Sequence, residues 1–370
     1  MTKCLRREGW KKKKMDSGIE KLIHEMPFYL FGMGARRKMI FCNHCLFDIF
    51  SGRLLYRFRE TELRIIPEEY RVVMADGEIF ENETGVYLQQ RDRVVSISEG
   101  YLKIPDFPGN PNRNALRILF HEIAMNIVEG KPVPNLFVYK KPWYRDAVMM
   151  CMVLERTGNL HLVYDWILSL KEVYDRNNAG NCEPDNLGQA LYMISLVSDK
   201  NHPLVEGILK EAGKWRHGNY IEGLTDGGRH PVYQTRWLKY GLARIGLPDS
   251  YEVPEMEDSY GGLFWMNRRG GGSAEEKVNG SRRQDGALRK DGEECWKDSD
   301  YPYLEAAKAH FEGETPPILE KPPYPLTWEK NASEADYNGN LPYFPQMADG
   351  KICAPHTWHA AELYLWMTEE

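Results

Sequence analysis

One stretch near the middle of the chain constrains the fold most, because it must form a helix that is buried on nearly all sides. Residues 139–154 read YKKPWYRDAVMMCMVL, and the last eight of them are all apolar. Pro142 suits the first turn of a helix, where its missing N–H has no partner to lose. An apolar surface all round is typical of a helix enclosed in the protein interior. Trp143, Arg145 and Asp146 therefore lie at the N-terminal mouth of a buried helix, where polar groups have a structural or a chemical role.

Composition narrows the class of protein. The chain has 370 residues, of which 42% are hydrophobic and 28% charged, as in ordinary globular proteins. Its net charge of -6 disfavours nucleic acid as a partner. We find no run of about 18 apolar residues that would cross a membrane, and no secretory signal. The 7 scattered cysteines favour free thiols and a cytoplasmic location. Nothing in the sequence indicates the oligomeric state.

The first part of the chain has the pattern of a β-rich module. Short apolar runs between Met39 and Ile104 are separated by turns that contain Gly or Asp. Cys42 and Cys45 lie in one of these runs, and without a second ligand pair nearby we interpret them as buried strand cysteines. We expect this module to occupy residues 1–110.

Helical periodicity follows, and apolar helices alternate with amphipathic ones. Leu160 to Tyr174 and Leu204 to Trp215 are amphipathic, whereas Leu187 to Val197 is apolar almost throughout. An inner ring of helices enclosed by an outer ring produces such an alternation, so the pattern predicts a mainly α protein built on an α/α toroid at residues 111–370. The charged, glycine-rich segment around residues 267–295 is expected to be a mobile insertion.

The starts of the apolar helices share a further feature. A proline lies at or just before each start, together with a carboxylate or a histidine: Pro142 with Asp146, Pro184 with Glu183 and Asp185, Pro231 with Asp226 and His230, Pro302 with Asp300, and Pro355 with His356. Any one of these pairs is explained by helix capping. Inner helices of a toroid run in the same direction, so five such pairs predict a shared polar site at one end, where helix N-termini favour oxygen-rich ligands.

Together these motifs resemble the six-hairpin (α/α)6-barrel glycoside hydrolases, most closely the glucoamylase-like ones, over residues 113–370. The segment PWYRDAVMM looks like the family segment whose Arg and Asp hold the non-reducing sugar. EPDNLGQAL is similar to the start of the next inner helix, and HTWHAAELYL to the start of the last one. The resemblance implies that the sugar is bound by Trp143, Arg145, Asp146, Glu183, Asp185, Asp226, His356 and Trp358.

The resemblance also implies the catalytic pair. NYIEGLTDGG is similar to the segment that carries the general acid, which assigns that role to Glu222, with Asp226 as the alternative. ASEADYN is similar to the segment that carries the general base, which assigns that role to Glu334. We expect the enzyme to hydrolyse glycosidic bonds with inversion, without a cofactor, because an acid and a base on opposite sides of the bond suffice.

Other interpretations stay open at this point. A carbohydrate-binding protein without catalytic activity would show the same motifs. A zinc enzyme is the third alternative, since Cys182, Cys353 and His356 all precede predicted inner helices and form a zinc ligand set. The segment Ser259 to Met266 either lines the site or fills the core. The sequence shows no clear phosphate cradle, which favours hydrolysis over phosphorolysis, and it leaves the sugar, its anomer and its linkage open.

Overall fold

Two antiparallel sheets come first in the chain, and helices follow. The computed structural model describes residues 28–59, 63–75, 77–139, 141–256, 258, 260, 318–319, 321–327 and 357–368. The first sheet pairs its strands in sequence order, β1 (Phe28–Phe31), β2 (Met39–Cys42), β3 (Cys45–Asp48) and β4 (Leu54–Arg57). Asn43 and His44 form the β2–β3 turn with φ of 47° and 57°, as a two-residue hairpin requires.

The second sheet is also an antiparallel meander. Its strands are β5 (Leu63–Ile66), β6 (Arg71–Met74), β7 (Gly77–Glu81), β8 (Gly85–Gln90) and β9 (Arg93–Glu99). Alternate residues of β6–β8 pack against one face of the first sheet, and the other face of the first sheet packs against the helices. Strands β1 and β2 are therefore buried on both faces, which explains why they read as continuous apolar runs.

Seven helices lie in the described residues. They are α1 (Arg113–Met125), α2 (Tyr144–Thr157), α3 (Tyr164–Leu168), α4 (Asp185–Ser195), α5 (Pro203–Lys214), α6 (Pro231–Arg244) and α7 (Thr357–Met367). Three hairpins with strands of two residues lie between these helices. Strands β10 (Ile127–Val128) and β11 (Lys131–Pro132) lie between α1 and α2. Strands β12 (Arg216–His217) with β13 (Tyr220–Ile221), and β14 (Leu224–Thr225) with β15 (Gly228–Arg229), lie between α5 and α6. None of the described helices is long and apolar enough to cross a membrane.

The prediction of a mainly α protein with an (α/α)6 toroid is wrong. Nine strands in two sheets precede the seven described helices, and the first sheet shares one hydrophobic core with those helices instead of forming a small appendage. The helix expected at residues 160–174 is only the five-residue α3 after a 3-10 turn. Ser169 follows its last residue, and the Ser169 hydroxyl donates a 2.7 Å hydrogen bond back to the Trp166 carbonyl. The described fold is of the α+β type.

Other helices agree with the sequence pattern. Those predicted at 187–197 and 204–215 correspond to α4 and α5. Helix α4 packs closely against α6, because Gly188 and Gly241 face each other where the two helices meet. A methyl group on Gly188 would lie 2.0 Å from the carbonyl carbon of Trp237. Since α4 and the hairpin before α6 both supply carboxylates to the site described below, this contact fixes the two elements relative to each other.

We expect Gly188→Ala to lower the free energy of unfolding by about 3 kcal/mol, because the added methyl meets backbone that cannot move aside alone. Gly213→Ala is the matched control, since no atom lies within 4 Å of its added methyl; we expect that variant to gain up to about 1 kcal/mol from its better helix propensity. Urea denaturation measures both changes. Equal stabilities of the two variants would contradict the close packing of α4 and α6.

Candidate functional site

The guanidinium of Arg145, in the first turn of α2, is the centre of the candidate site. Its Nη2 donates to Glu183 Oε2 at 2.9 Å, and its Nε donates to Asp185 Oδ2 at 3.1 Å. Nη1 donates to Asp226 Oδ2. Arg145 is 4% exposed, so three carboxylates share one buried cation. We call these four residues the Arg145 cluster.

The first turns of three helices meet at this cluster. Asp185 begins α4, and Trp358 lies in the first turn of α7 with its ring centroid 5.3 Å from the guanidinium carbon of Arg145. Thr357, at the start of α7, donates a 3.4 Å hydrogen bond to Asp146 of α2. The polar residues at the starts of α2, α4 and α7 therefore lie close together. That they form a sugar site stays a prediction.

Asp226 reaches the cluster from the tight turn between β14 and β15. Asp226 and Gly227 both have positive φ, 49° and 77°, as the Asp-Gly turn of a two-residue hairpin requires. The backbone N–H of Asp226 donates to Glu183 Oε1 at 2.7 Å, and the preceding Thr225 donates its hydroxyl to Asp185 Oδ1 at 2.8 Å. These bonds attach the turn to the start of α4, and they place Asp226 above the buried carboxylates.

The outer side of the cluster consists of Asp226 and two partly buried side chains. The carboxylate of Asp226 is 30% exposed, compared with 6% for Glu183 and 0% for Asp185. Tyr260 donates its hydroxyl to Asp226 Oδ2 at 3.0 Å. The amide of Asn178 donates to both Glu183 Oε1 and Asp226 Oδ1, at 3.1 and 3.2 Å. A ligand arriving from solvent would meet Asp226, Asn178 and Tyr260 before the buried groups.

The charges of the cluster do not balance. Three carboxylates and one guanidinium leave a net charge of -2 when all are ionised. Burial alone would lower the pKa of Arg145, but Asp185, Asp226 and Glu183 raise it well above its usual value, so the guanidinium stays charged. Burial raises the pKa of Glu183 to about 7, Arg145 opposes that rise, and Asp185 and Asp226 add to it. The cluster therefore binds a proton near neutral pH.

Asp146 lies beside the cluster and is 1% exposed. Burial raises its pKa to about 7; Arg145 opposes this rise, while Asp175 and Asp226 add to it. Asp175 also holds the start of α2 in place, because its Oδ2 accepts a 2.6 Å hydrogen bond from the Tyr144 N–H. Asp146 is thus as buried as a structural residue, and its carboxyl group stays neutral below about pH 7.

The raised pKa of Asp146 predicts a pH dependence of stability. An unfolded aspartate has a pKa of about 3.9, so between about pH 4 and pH 7 the folded state holds the proton more tightly. This stabilisation is present at pH 5 and is lost as the pH rises through 7. Asp146→Asn lacks it. From pH 5 to pH 8 we expect the stability of the unmodified protein to fall by about 2 kcal/mol relative to Asp146→Asn, measured by urea denaturation. Parallel pH profiles would contradict the assignment.

Glu222 and Trp143 lie near the site but make other contacts. Glu222 follows β13, and its Oε1 accepts a 2.7 Å hydrogen bond from exposed Arg229. Its backbone is connected to the cluster indirectly, through the neighbouring Gly223 and the side chain of Gln234, which also bonds Thr225. Trp143 precedes α2, and its ring centroid lies 4.8 Å from that of Tyr139. The catalytic role of Glu222 stays a prediction.

Several predicted groups lie outside the described residues. These are the general base Glu334, the sugar ligand His356, Cys353 of the zinc set, Pro302 with Asp300, and the insertion at 267–295. The remaining zinc candidate, Cys182, is a partly buried free thiol. Within the part of the chain that the structure describes, no group of three His, Cys, Asp or Glu side chains is arranged to hold a metal ion.

Two residues of the site were not singled out from the sequence. Asn178 lies in the loop before α4, where no periodicity or motif distinguishes it from other loop asparagines. Tyr260 belongs to the segment interpreted as either site or core, and the structure places its hydroxyl on Asp226. Only the three-dimensional arrangement of the turns identifies these residues as neighbours of Arg145.

Comparison with protein-family models, with curated proteins and with solved structures finds no match to this chain. The function is therefore argued from the chemistry of the site.

Proposed function

We propose that this protein hydrolyses glycosidic bonds and that the Arg145 cluster binds the sugar and supplies the acid. The observation that carries the proposal is the set of three carboxyl groups around one buried guanidinium. Of these, Asp226 is exposed, and Glu183 has a pKa of about 7. Hydrolysis of a glycoside requires a carboxyl group that is protonated near neutral pH and can reach the leaving oxygen.

Asp226 is the member of the cluster that fits the acid role. It is the most exposed of the three carboxyl groups, it shares Arg145 with Glu183, and its backbone N–H bonds the Glu183 carboxyl group, so it is the member that a glycosidic oxygen can reach from solvent. Glu222, the acid implied by the family resemblance, forms a one-to-one ion pair with Arg229. That pair is already neutral, whereas the cluster has two carboxylates in excess of its cation.

The surroundings of Asp226 suit a sugar. Carboxylate and amide groups of Asp226 and Asn178 can accept and donate hydrogen bonds to neighbouring hydroxyls. The partly buried ring of Tyr260 provides apolar surface for the C–H face of a pyranose, and the buried Trp358 ring packs behind it with centroids 6.1 Å apart. Arg145 holds the carboxylates in fixed positions, because its planar guanidinium fixes the direction of each N–H.

A carbohydrate-binding protein without catalysis is the second candidate. Each carboxylate of the cluster already accepts at least two hydrogen bonds from the protein, as a rigid binding surface would. The two candidates differ in whether a bound glycoside is cleaved.

A panel of 4-nitrophenyl α- and β-glycosides and natural disaccharides tests the proposal. We expect at least one to be hydrolysed without added phosphate, and the first sugar released to have the inverted anomeric configuration when followed by proton NMR. Sugar binding by calorimetry without turnover would favour the second candidate. If the panel shows neither turnover nor binding, both candidate functions are contradicted.

A further inference from the structure

His230 and Asp258 form a buried pair beside the Arg145 cluster. His230 precedes α6, and its Nδ1 lies 2.8 Å from Asp258 Oδ1. Their side chains are 9% and 1% exposed. In the sequence His230 was noted only as the histidine that precedes Pro231, and no sequence pattern distinguished Asp258.

The carboxylate of Asp258 is fixed by the backbone. Its Oδ1 accepts a 2.8 Å hydrogen bond from the Tyr260 N–H, and its Oδ2 accepts a 3.0 Å hydrogen bond from the Tyr233 N–H. Both oxygens act as acceptors, so His230 must be the donor in the bond to Asp258. The proton of the neutral imidazole is therefore on Nδ1, and Nε2 is left with its lone pair.

The free nitrogen of His230 is directed to the hairpin that carries Asp226. A methyl group on Gly228 would lie 2.7 Å from Nε2, which is the imidazole atom nearest to that position. Because Gly228 has no side chain, the hairpin can approach Nε2 this closely without a clash. Among the described residues Nε2 has no hydrogen-bond partner, and the His230 side chain keeps some exposed surface.

Tyr260 connects the imidazole to the cluster. Its ring stacks on His230 with centroids 4.0 Å apart and an interplanar angle of 15°. The hydroxyl of the same ring donates to Asp226 Oδ2. Among the residues that the structure describes, the titratable groups in contact with the imidazole are Asp258 at Nδ1 and Tyr260 on its face, and the carboxylate of Asp226 lies at the far end of that ring.

We propose that His230 is the general base of this site and that Asp258 is the residue that positions it. This inference rests on the proposed glycoside hydrolysis. Nε2 takes a proton from water while the water oxygen bonds to the anomeric carbon. The glycosidic C–O bond breaks, and the leaving oxygen receives the proton of Asp226. Afterwards the imidazolium releases its proton to solvent and Asp226 regains one, so that the cycle is balanced. The family resemblance assigns the same role to Glu334, and the two assignments exclude each other.

The kinetic test uses the 4-nitrophenyl glycoside that the protein hydrolyses fastest. We expect His230→Ala to lower kcat by about 10²–10⁴-fold with little change in KM. Imidazole added to the buffer should raise the kcat of this variant at least about tenfold. His217→Ala, which changes an exposed histidine of the β12–β13 hairpin, should keep kcat within about threefold of the starting value. His230→Gln, which retains more of the side-chain volume, repeats the measurement if the alanine variant unfolds.

A change in KM alone, or loss of kcat in Glu334→Gln but not in the His230 variants, would overturn the proposal. So would a folded His230→Ala protein that imidazole does not restore. A solely structural role of His230 predicts no such rescue.

A second measurement does not depend on activity. Nitrogen NMR of the protein labelled in histidine should show His230 with its proton on Nδ1, and Asp258→Asn should shift the population towards protonation at Nε2. If no glycoside is hydrolysed but this tautomer is found, the proposed function fails while the proton-acceptor assignment of Nε2 stands. If Nε2 carries the proton in the unmodified protein, the base assignment is overturned whether or not glycosides are cleaved.

Discussion

Replacing Arg145 by Met should lower the free energy of unfolding by about 3–5 kcal/mol at pH 7.5, the largest effect on stability that we expect from any single change at the site. Arg145 donates hydrogen bonds to three carboxylates, of which Glu183 and Asp185 are almost fully buried. Without the guanidinium these carboxylates remain in the interior with no cation, and desolvated charges of the same sign repel each other.

The loss should be smaller at pH 5, because carboxyl groups that have lost their cation bind protons more readily. Arg244→Met is the control, since Arg244 forms a single salt bridge with Glu155 and both side chains are more than a third exposed; we expect it to cost less than about 1 kcal/mol. Urea denaturation at the two pH values measures both variants. An Arg145→Met protein as stable as Arg244→Met at pH 7.5 would show that the cluster is not held by its shared cation.

Replacing Asp226 by Asn should lower kcat/KM by about 10²–10⁴-fold, the largest effect on activity that we expect. The amide keeps the size of the carboxyl group but cannot give a proton to the leaving oxygen. Glu183→Gln should also lower the rate, because Glu183 accepts a hydrogen bond from the Asp226 N–H and shares Arg145 with the Asp226 carboxylate. In the unmodified protein kcat should fall as the pH rises through about 7, where Glu183 loses its proton.

Glu222→Gln is the comparison for both variants. It removes the ion pair with Arg229 and leaves the Arg145 cluster intact, so we expect it to keep the rate within about tenfold. A Glu222→Gln protein that is inactive while Asp226→Asn is fully active would instead support the acid assigned by the family resemblance. Sugar binding by each variant, measured by calorimetry, separates loss of catalysis from loss of binding.

The site could be predicted from the sequence further than the fold. Arg145 and Asp185 were singled out because each lies at the start of an apolar helix, where a polar residue is conspicuous in the pattern, whereas Trp358 was named only through the family resemblance. Asp226 was found as one of the polar groups that precede α6. Helix starts can be recognised from a few consecutive residues, because capping residues and proline are preferred there.

The fold was less predictable because the balance of sheet and helix is a property of tertiary packing. Apolar runs such as 28–31 and 39–42 form strands buried on both faces, and this burial depends on what packs against each side of the sheet. The amphipathic segment at 160–174 has helical spacing, yet only Tyr164–Leu168 forms an α-helix. Loop residues such as Asn178 and Asp258 have no periodicity, so their places in the site depend on contacts between distant segments.

A crystal structure of the protein soaked with the monosaccharide that its best substrate releases would test the central claim most directly. Our account predicts that the sugar lies over the Arg145 cluster, with hydroxyls bonded to Asp226 and Asn178 and a ring face against Tyr260. Sugar bound at a different surface, with these side chains unchanged and without contact to it, would contradict the account.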